Sequence, residues 1–284
     1  MQLDSHQHFW KYDVQRHSWI TDEMEVLKRD YLPADLLPEL KANRMSGCIA
    51  VQADQSEQET EFLLELANQC EAIKGVVGWV DLLSPAISER LRHFSQFEKL
   101  SGFRHVLQSE ADDEFMLRPE FCRGIQALQE HGFTYDILIY PRQLPAALEL
   151  VTRFPNQLFV IDHIAKPPIR TGELAPWAAQ MRSLSDSTNV YCKLSGLITE
   201  ANWSNWSAED LRPYLNVVFE TFGPERLMFG SDWPVCLLAG TYRQVKQLIE
   251  TYISKLSIHQ KKSIFGLNAA RFYGLEKTAN GPGI

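Results

Sequence analysis

Two histidines near the start of the chain are spaced so that both side chains can act on the same atom. They lie in the run Asp4-Ser5-His6-Gln7-His8, which reads as part of a strand. Alternate residues of a strand share a face, so His6 and His8 point the same way. Two imidazoles in that arrangement can bind one metal ion or one substrate oxygen. Two unrelated polar residues at a strand edge are the alternative, because His-x-His is a common pattern.

A second group of polar residues closes the sixth predicted strand, in the run Ile161–Pro167. His163 and Lys166 are candidates for metal ligation, proton transfer or anion binding. Asp162 and His163 face opposite sides of an extended strand, so only one of them is expected to enter the interior. The alternative is a surface loop in which Asp162 caps a turn and Lys166 is solvated.

A carboxylate, Asp232, directly follows the last apolar strand and precedes Trp233-Pro234. Held in this way, it can ligate a metal or take a proton from water; an Asx-turn at the strand exit is the alternative. The sequence contains no Gly-x-Ser-x-Gly nucleophile elbow. An activated water is therefore favoured over a covalent intermediate.

The fourth and seventh strands supply weaker candidates. In Gly102-Phe103-Arg104-His105, the guanidinium of Arg104 can donate to a carbonyl or carboxylate oxygen, and His105 can give or take a proton. An exposed Arg-His pair is the alternative. Ser195, at the end of the seventh strand, can touch a substrate, although a purely backbone role is favoured there.

These candidates fall at the carboxyl ends of strands in an alternating pattern. Eight runs are rich in β-branched and aromatic residues, and most are followed by a run of helical period. The pattern predicts an α/β fold, a single (β/α)8 TIM-type barrel with a loop inserted after strand 1. No Gly-x-Gly-x-x-Gly follows the first strand, which argues against a dinucleotide-binding fold. The predicted strands are Gln2–His8, Gly47–Gln52, Gly75–Asp81, Gly102–Leu107, Thr134–Tyr140, Leu158–His163, Val190–Leu197 and Arg226–Gly230.

The barrel is expected to span residues 1–275, followed by a flexible tail at 276–284. The aromatic segment Phe9–Leu32 lies on the catalytic side of the barrel and is expected to form a lid or a pocket wall. One helix is predicted to begin after Ser56, another at Pro85, and a third to run from Pro119 to a glycine C-cap at Gly132. Further helices are predicted at Pro141–Phe154, Leu174–Leu184, Ala208–Phe222, Tyr242–Leu256 and Gln260–Tyr273.

Composition narrows the class of protein. The 284 residues carry a net charge of −8, which argues against nucleic-acid or anionic-membrane partners, and no apolar run is long enough for a membrane span. The five cysteines are scattered and odd in number, which fits a reducing compartment and predicts a cytoplasmic protein. The sequence leaves the oligomeric state open, a homo-oligomer included.

Four motifs together resemble the amidohydrolase-2 group of the amidohydrolase superfamily. More narrowly, they resemble its sugar-lactonase branch, the L-fuconolactonase- and L-rhamnonolactonase-like proteins. The resemblance extends from about Gln2 to Tyr273, with the motifs in order and at barrel spacing. It is carried by His6–Trp10, Gly102–His105, Asp162–Pro167 and Gly230–Pro234.

The resemblance implies a barrel that hydrolyses a sugar (aldono-) lactone and holds a metal-and-water site. That site corresponds here to His6, His8, His163 and Asp232. The fifth strand contains Asp136 and no histidine, so a binuclear centre is not expected. One divalent cation, with zinc as the expected metal, is the most that we predict. A metal-free site is the alternative, because the resemblance includes some lactonases that work without metal.

A mechanism follows as a hypothesis. Asp232 takes a proton from the attacking water, and His163 with the strand-one pair either holds the metal or orients the water. Arg104 and His105 bind the carbonyl or the hydroxyls beside it, and the predicted substrate-binding residues are Trp19, Trp79, Tyr140, Lys166 and Trp233. The competing functions are a metal-dependent decarboxylase of the same barrel group and a non-catalytic sugar-binding barrel.

Overall fold

The chain forms an eight-stranded parallel barrel, as a computed structural model that describes residues 1–275 shows. Each strand pairs in parallel with the next, which confirms the predicted (β/α)8 architecture. The ring is closed between the first and last strands: His8 N donates to Trp233 O at 2.7 Å and Asp232 N donates to His6 O at 2.8 Å. The strands are β1 Leu3–Gln7, β2 Gly47–Val51, β3 Ile73–Gly78, β4 Leu100–His105, β5 Thr134–Ile137, β6 Phe159–Ile161, β7 Val190–Leu194 and β8 Leu227–Phe229.

Helices cover the outside of the barrel and bury the outer faces of the strands. Every residue of β2, for example, is buried, because neither face of a covered parallel strand meets water. The helices are α1 Pro33–Ala42, α2 Glu57–Gln69, α3 Ile87–Phe94, α4 Pro119–His131, α5 Leu144–Arg153, α6 Ala175–Arg182, α7 Ala208–Phe222, α8 Tyr242–Tyr252, α9 Ile258–Lys262 and α10 Asn268–Phe272. Helix α10 packs with Ile49, Val77, Val160 and Met228 in a separate apolar cluster.

Several helix ends agree with the sequence prediction. The Ser56 side chain accepts from Glu59 N as the N-cap of α2, and α4 ends at Gly132 in the left-handed conformation. The helix expected from Pro85 begins two residues later, at Ile87. The expected final helix is divided by a π-helical turn at Ser263–Leu267. Within this turn a Cβ atom at Gly266 would lie 2.5 Å from Met1 O, so this position has no room for a side chain.

The segment after β1 folds back over the carboxyl end of the barrel. Trp10 and Tyr31 exchange backbone hydrogen bonds at 3.0 and 2.9 Å and are both buried, so they anchor the two ends of the segment. A 3₁₀ helix, Asp22–Leu27, lies between them. Trp19 and Met24 reach the central cavity, so the segment forms part of its wall.

Two expectations concern the chain as a whole. The predicted flexible tail, 276–284, lies outside the described residues. In the described part, no helix combines the length and the apolar character that crossing a membrane requires.

Candidate active site

A cavity of about 840 Å³ opens at the carboxyl ends of the strands, where the loops of a (β/α)8 barrel converge. This volume lies within the range of about 300–1,000 Å³ typical of small-molecule sites. Four of the candidate catalytic and metal-ligating residues line it, from four different strand ends: His8, Arg104, His163 and Asp232. His6 is fully buried directly beneath them.

Three imidazoles surround the carboxylate of Asp232. Its Oδ1 lies 3.5 Å from Nε2 of His8, 3.8 Å from Nε2 of His6 and 3.9 Å from Nε2 of His163. The two strand-one rings meet each other, with 3.2 Å between their Nε2 atoms. The predicted shared face of His6 and His8 therefore places both rings against one carboxylate.

The sixth strand departs from the sequence expectation at its end. Strand β6 stops at Ile161, and four consecutive residues, His163 to Lys166, adopt left-handed backbone angles with φ between 47° and 58°. The expectation that only one of Asp162 and His163 could enter the interior assumed an extended chain and was wrong. Both turn inward: Asp162 Oδ1 lies 3.3 Å from Nδ1 of His6, and His163 Nδ1 lies 2.9 Å from Ser195 Oγ.

The conformation of Asp232 is held from both sides by its neighbours. Asp232 has a left-handed φ of 57°. The buried carboxylate of Asp4 accepts from Ser231 N at 2.9 Å and from Ser231 Oγ at 2.6 Å, and Ser231 Oγ accepts from Trp233 N at 3.0 Å. These hydrogen bonds fix Ser231 and Trp233, the residues on each side of Asp232. The Asp232 carboxylate is therefore held in a position that faces the cavity.

The electrostatics keep Asp232 charged and the imidazoles of His163 and His6 neutral. Burial alone would raise the pKa of the Asp232 carboxyl, but His163, His8 and His6 outweigh it and hold that pKa well below its usual value. Burial lowers the pKa of His163 to about 4, against the opposing pull of Asp232, and it lowers the pKa of His6 well below its ordinary value. At neutral pH the site thus presents an ionised carboxylate beside the neutral rings of His163 and His6.

A buried network of charges lies below the cavity floor and was missed from the sequence. Lys193 is fully buried on β7, with its Nζ 2.5 Å from Asp136 Oδ2 and 3.0 Å from Asp162 Oδ1. Asp136 also accepts from Tyr273 Oη at 2.9 Å, and burial raises its pKa to about 6 although Lys193 opposes this. A lysine inside an otherwise apolar strand, two residues before Ser195, was the signal that could have revealed it.

Arg104 joins this network to the cavity. Its Nη1 lies 3.0 Å from Asp162 Oδ2 and 3.4 Å from His6 Nε2, and its Nη2 donates to Gln52 O. These contacts hold the guanidinium plane in place. A guanidinium carries five N–H donors, so these contacts do not use all of them.

The remaining sequence candidates divide between the cavity and other places. Trp19, Tyr140 and Lys166 line the cavity. His105 points to the helical side of β4, where Nε2 lies 2.7 Å from Glu110 Oε1 and the ring stacks on Phe115. It therefore stands apart from the group around Asp232, because Arg104 takes the inward position of that strand.

Two tryptophans also lie away from the cavity walls. Trp233 is buried between Phe9 and Tyr31, and Trp79 is held by backbone hydrogen bonds to Thr60; neither is among the described lining residues. The cavity instead includes Trp203 and a half-buried pair, Lys166 Nζ and Glu200 Oε1, 3.5 Å apart. Loop residues of this kind carry no periodic signal in the sequence.

The donor atoms at the cavity floor fit a single metal ion. One ligand atom each from His6, His8 and Asp232 lie within 4.8 Å of one another, and His6, Asp162 and His163 form a second, overlapping group. The 3.2 Å between the two Nε2 atoms is close to the roughly 3.3 Å that separates two nitrogen ligands of one tetrahedral zinc ion. Imidazole and carboxylate are also donors that zinc accepts.

A parallel barrel with a buried His-His-Asp group at the carboxyl ends of its strands is the arrangement of a hydrolase or lyase that uses an activated water or a bound metal ion. The chain belongs to the amidohydrolase family, whose model matches residues 3–275. It is similar to an L-fucono-1,5-lactonase of Burkholderia multivorans, at 44% identity over 99% of this chain and 98% of that protein. An L-fucono-1,5-lactonase of Burkholderia ambifaria is 34% identical over 97% of this chain and 96% of that protein.

A solved structure shows the same likeness in three dimensions. The crystal structure of an amidohydrolase from Burkholderia multivorans with bound zinc superimposes with a TM-score of 0.94 at 43% identity. The match covers 96% of this chain and 99% of that one. The likeness therefore extends over nearly the whole chain.

Proposed function

We propose that this protein hydrolyses a sugar lactone to the free aldonic acid, with an L-fucono-1,5-lactone as the first substrate to test. The observation that carries the proposal is the Asp232 carboxylate, ionised and surrounded by three imidazoles at the floor of a cavity of small-molecule size. Full-length identity of 44% to an L-fucono-1,5-lactonase supports the choice of substrate.

In the proposed reaction, Asp232 takes the proton of the water that attacks the lactone carbonyl. Arg104 stabilises the oxygen on which negative charge develops, since its guanidinium is fixed by Asp162 and Gln52 and faces the cavity. As the ring C–O bond breaks, the leaving oxygen takes the proton back from Asp232. The product is one molecule, the aldonic acid, which carries the new carboxylic acid and the hydroxyl released by ring opening, and one water is consumed.

A divalent cation, for which zinc is the proposed identity, would be held by His6, His8 and Asp232. When bound, such an ion polarises a carbonyl and makes its water more acidic. His8 is oriented for this role, because its Nδ1 lies 2.8 Å from Val51 O and donates to it, which leaves the lone pair of Nε2 facing the cavity.

The cavity walls suit a polyhydroxylated ring. Trp19, Tyr140 and Trp203 supply aromatic surface on which the carbon face of a sugar can lie, and the Lys166–Glu200 pair can exchange hydrogen bonds with hydroxyl groups. We place the reaction in the cytoplasm, because all five cysteines are free. A homo-oligomer stays a prediction.

The test is a pH-indicator assay of the purified protein against a panel of aldonolactones, with and without a chelator. Asp232→Asn should lower kcat/KM by about 10²–10⁴-fold at neutral pH, the usual cost of losing a general base. The matched control is Asp112→Asn, an exposed carboxylate paired with Arg118. A loss below about tenfold in Asp232→Asn would show that Asp232 is not the base.

The same panel separates the competing functions. Absence of turnover on every lactone, with carbon dioxide released from an aromatic acid, would replace the proposal with a decarboxylase. Binding of a lactone without turnover, unchanged in Asp232→Asn, would replace it with a sugar-binding barrel.

A further inference from the structure

Two oppositely charged side chains lie next to each other in the cavity wall. Lys166 follows β6 and Glu200 follows β7, and both line the cavity. Lys166 Nζ lies 3.5 Å from Glu200 Oε1, and both side chains are half-buried. Within residues 1–275 neither side chain has a second hydrogen-bond partner. An N–H···O bond usually measures about 2.7–3.2 Å, so this loose pair leaves most of the hydrogen-bonding capacity of both groups unused.

The backbone that carries Glu200 is fixed on both sides. Arg170 N donates to Glu200 O at 3.0 Å, which joins the loop after β6 to the loop after β7. Trp203 Nε1 donates to Thr199 O at 2.8 Å, so the residue before Glu200 is also held. The carboxylate is therefore in place before a ligand arrives, and a preorganised group costs less to bind.

The charges of the pair support each other. Burial raises the pKa of the Glu200 carboxyl, and Lys166 opposes that rise, so the ammonium favours the charged form of Glu200. Two more cations of the cavity wall, Arg16 and Arg170, are exposed, so solvent screens their charges. The half-buried part of this wall thus presents a donor beside an acceptor, with opposite charges.

A pair of this kind matches two neighbouring hydroxyl groups. An ammonium only donates and a carboxylate only accepts, whereas a hydroxyl does both. One hydroxyl can accept from Lys166 while the hydroxyl on the adjacent carbon donates to Glu200. An anionic group fits poorly, since Glu200 would repel it where Lys166 could bind it.

We propose that Lys166 and Glu200 bind two adjacent hydroxyl groups of an uncharged lactone, and that Glu200 makes the cavity reject lactones that carry a carboxylate. This role rests on the proposed lactone hydrolysis and specifies its substrate class. Asp232 lines the same cavity, so a ring held by the pair shares one space with the reacting carboxylate.

Glu200→Gln tests the selection by charge, because it keeps the shape of the side chain and an acceptor oxygen. kcat/KM is measured for an uncharged aldonolactone and for glucarolactone, which carries a carboxylate. The ratio of the second value to the first should rise at least about tenfold in Glu200→Gln, because the repulsion is removed and Lys166 is left unpaired. The matched control, Glu220→Gln, removes the same charge from an exposed pair with Arg182 and should leave the ratio unchanged. An unchanged ratio in Glu200→Gln would overturn the proposal.

Mono-deoxy lactones identify the two hydroxyls. In the wild type, removal of either of two adjacent hydroxyls should lower kcat/KM by about 10–100-fold, the usual worth of a hydrogen bond to a charged group. In Lys166→Met the loss for one of these hydroxyls should disappear, and in Glu200→Met the loss for the other. Equal losses in the wild type and both variants would contradict the assignment. The ratio measured in Glu200→Gln decides the matter even where a methionine variant does not fold.

Failure of lactone hydrolysis itself would look different. A wild type that turns over no lactone leaves the same lactones intact, and they are then titrated calorimetrically against the same variants. The pattern expected for kcat/KM is then expected for binding affinity, and its absence would overturn the role of the pair. A wild type that neither turns over nor binds an uncharged lactone would overturn both proposals.

Discussion

Gly196 follows β7 directly beneath the imidazole of His163, and an alanine there tests how precisely that imidazole must be held. A Cβ atom at Gly196 would lie 2.6 Å from Cγ and from Nδ1 of His163. Ordinary contact begins at 3.4 Å, so the ring has to retreat by about 1 Å, and a displacement of that size at a reacting centre costs on the order of 10²-fold in rate. We expect Gly196→Ala to lose about 10²-fold in kcat/KM.

The matched control is Gly132→Ala at the end of α4. Gly132 and Gly196 have left-handed φ values of 76° and 65°, so each alanine adds about 1 kcal/mol of backbone strain. A Cβ at Gly132 meets nothing within 4 Å, so this variant carries the strain without a clash. Thermal unfolding and the lactone assay are run on both variants. Gly132→Ala should keep wild-type kcat/KM, and a folded Gly196→Ala that also keeps it would refute the reasoning.

Three further changes address separate parts of the molecule. His105→Gln should leave kcat/KM unchanged in steady-state kinetics, because the His105 ring pairs with Glu110 outside the cavity. A large loss of kcat/KM would show that His105 takes part in the reaction. Ser231→Ala should lower kcat by about tenfold with little change in KM, because Asp232 loses a neighbouring hydrogen bond; a change in KM alone would contradict this. Burial raises the pKa of Glu59 from 4.5 to about 7, so the folded chain binds a proton that the unfolded chain releases, and stability falls as pH rises through that window. Glu59→Gln should therefore be more stable than the wild type at pH 8, by up to about 3 kcal/mol, and should lose this advantage near pH 4.5 in urea unfolding. An equal advantage at both pH values would contradict the assignment.

The barrel could be predicted because its signals are local. A strand buried on both faces is a short apolar run in the sequence. A capped helix has recognisable residues at its ends, and the helix Ala208–Phe222 begins and ends at the predicted residues. The strand ends were placed one to three residues too late. Hydrophobic runs continue into the loops, whereas pairing stops where the backbone turns, and a turn of non-glycine residues leaves no mark in the sequence.

The sequence marks Lys193 as unusual, but the pairings of the buried network could not be predicted from it, for a different reason. Asp136 lies on β5 and Lys193 on β7, which are not neighbours in the sheet. Their side chains meet only because the closed barrel brings inward residues of separate strands together. The sequence analysis used Asp136 only to show that the fifth strand lacks a histidine. In the structure Asp136 pairs with Lys193, which contacts His6.

Backbone strain in this protein is concentrated at the candidate site. Six non-glycine residues in the described chain have a positive φ, and five of them follow β6 and β8: His163 to Lys166, and Asp232. Each such residue costs about 1–2 kcal/mol, so the surrounding structure has to hold them there. Trp177 Nε1 donates to Ile164 O at 2.9 Å, and Asp4 holds Ser231. An extended chain would leave only one of Asp162 and His163 facing inward, so the strained turn is what lets strand β6 supply both the partner of His6 and the imidazole beside Asp232.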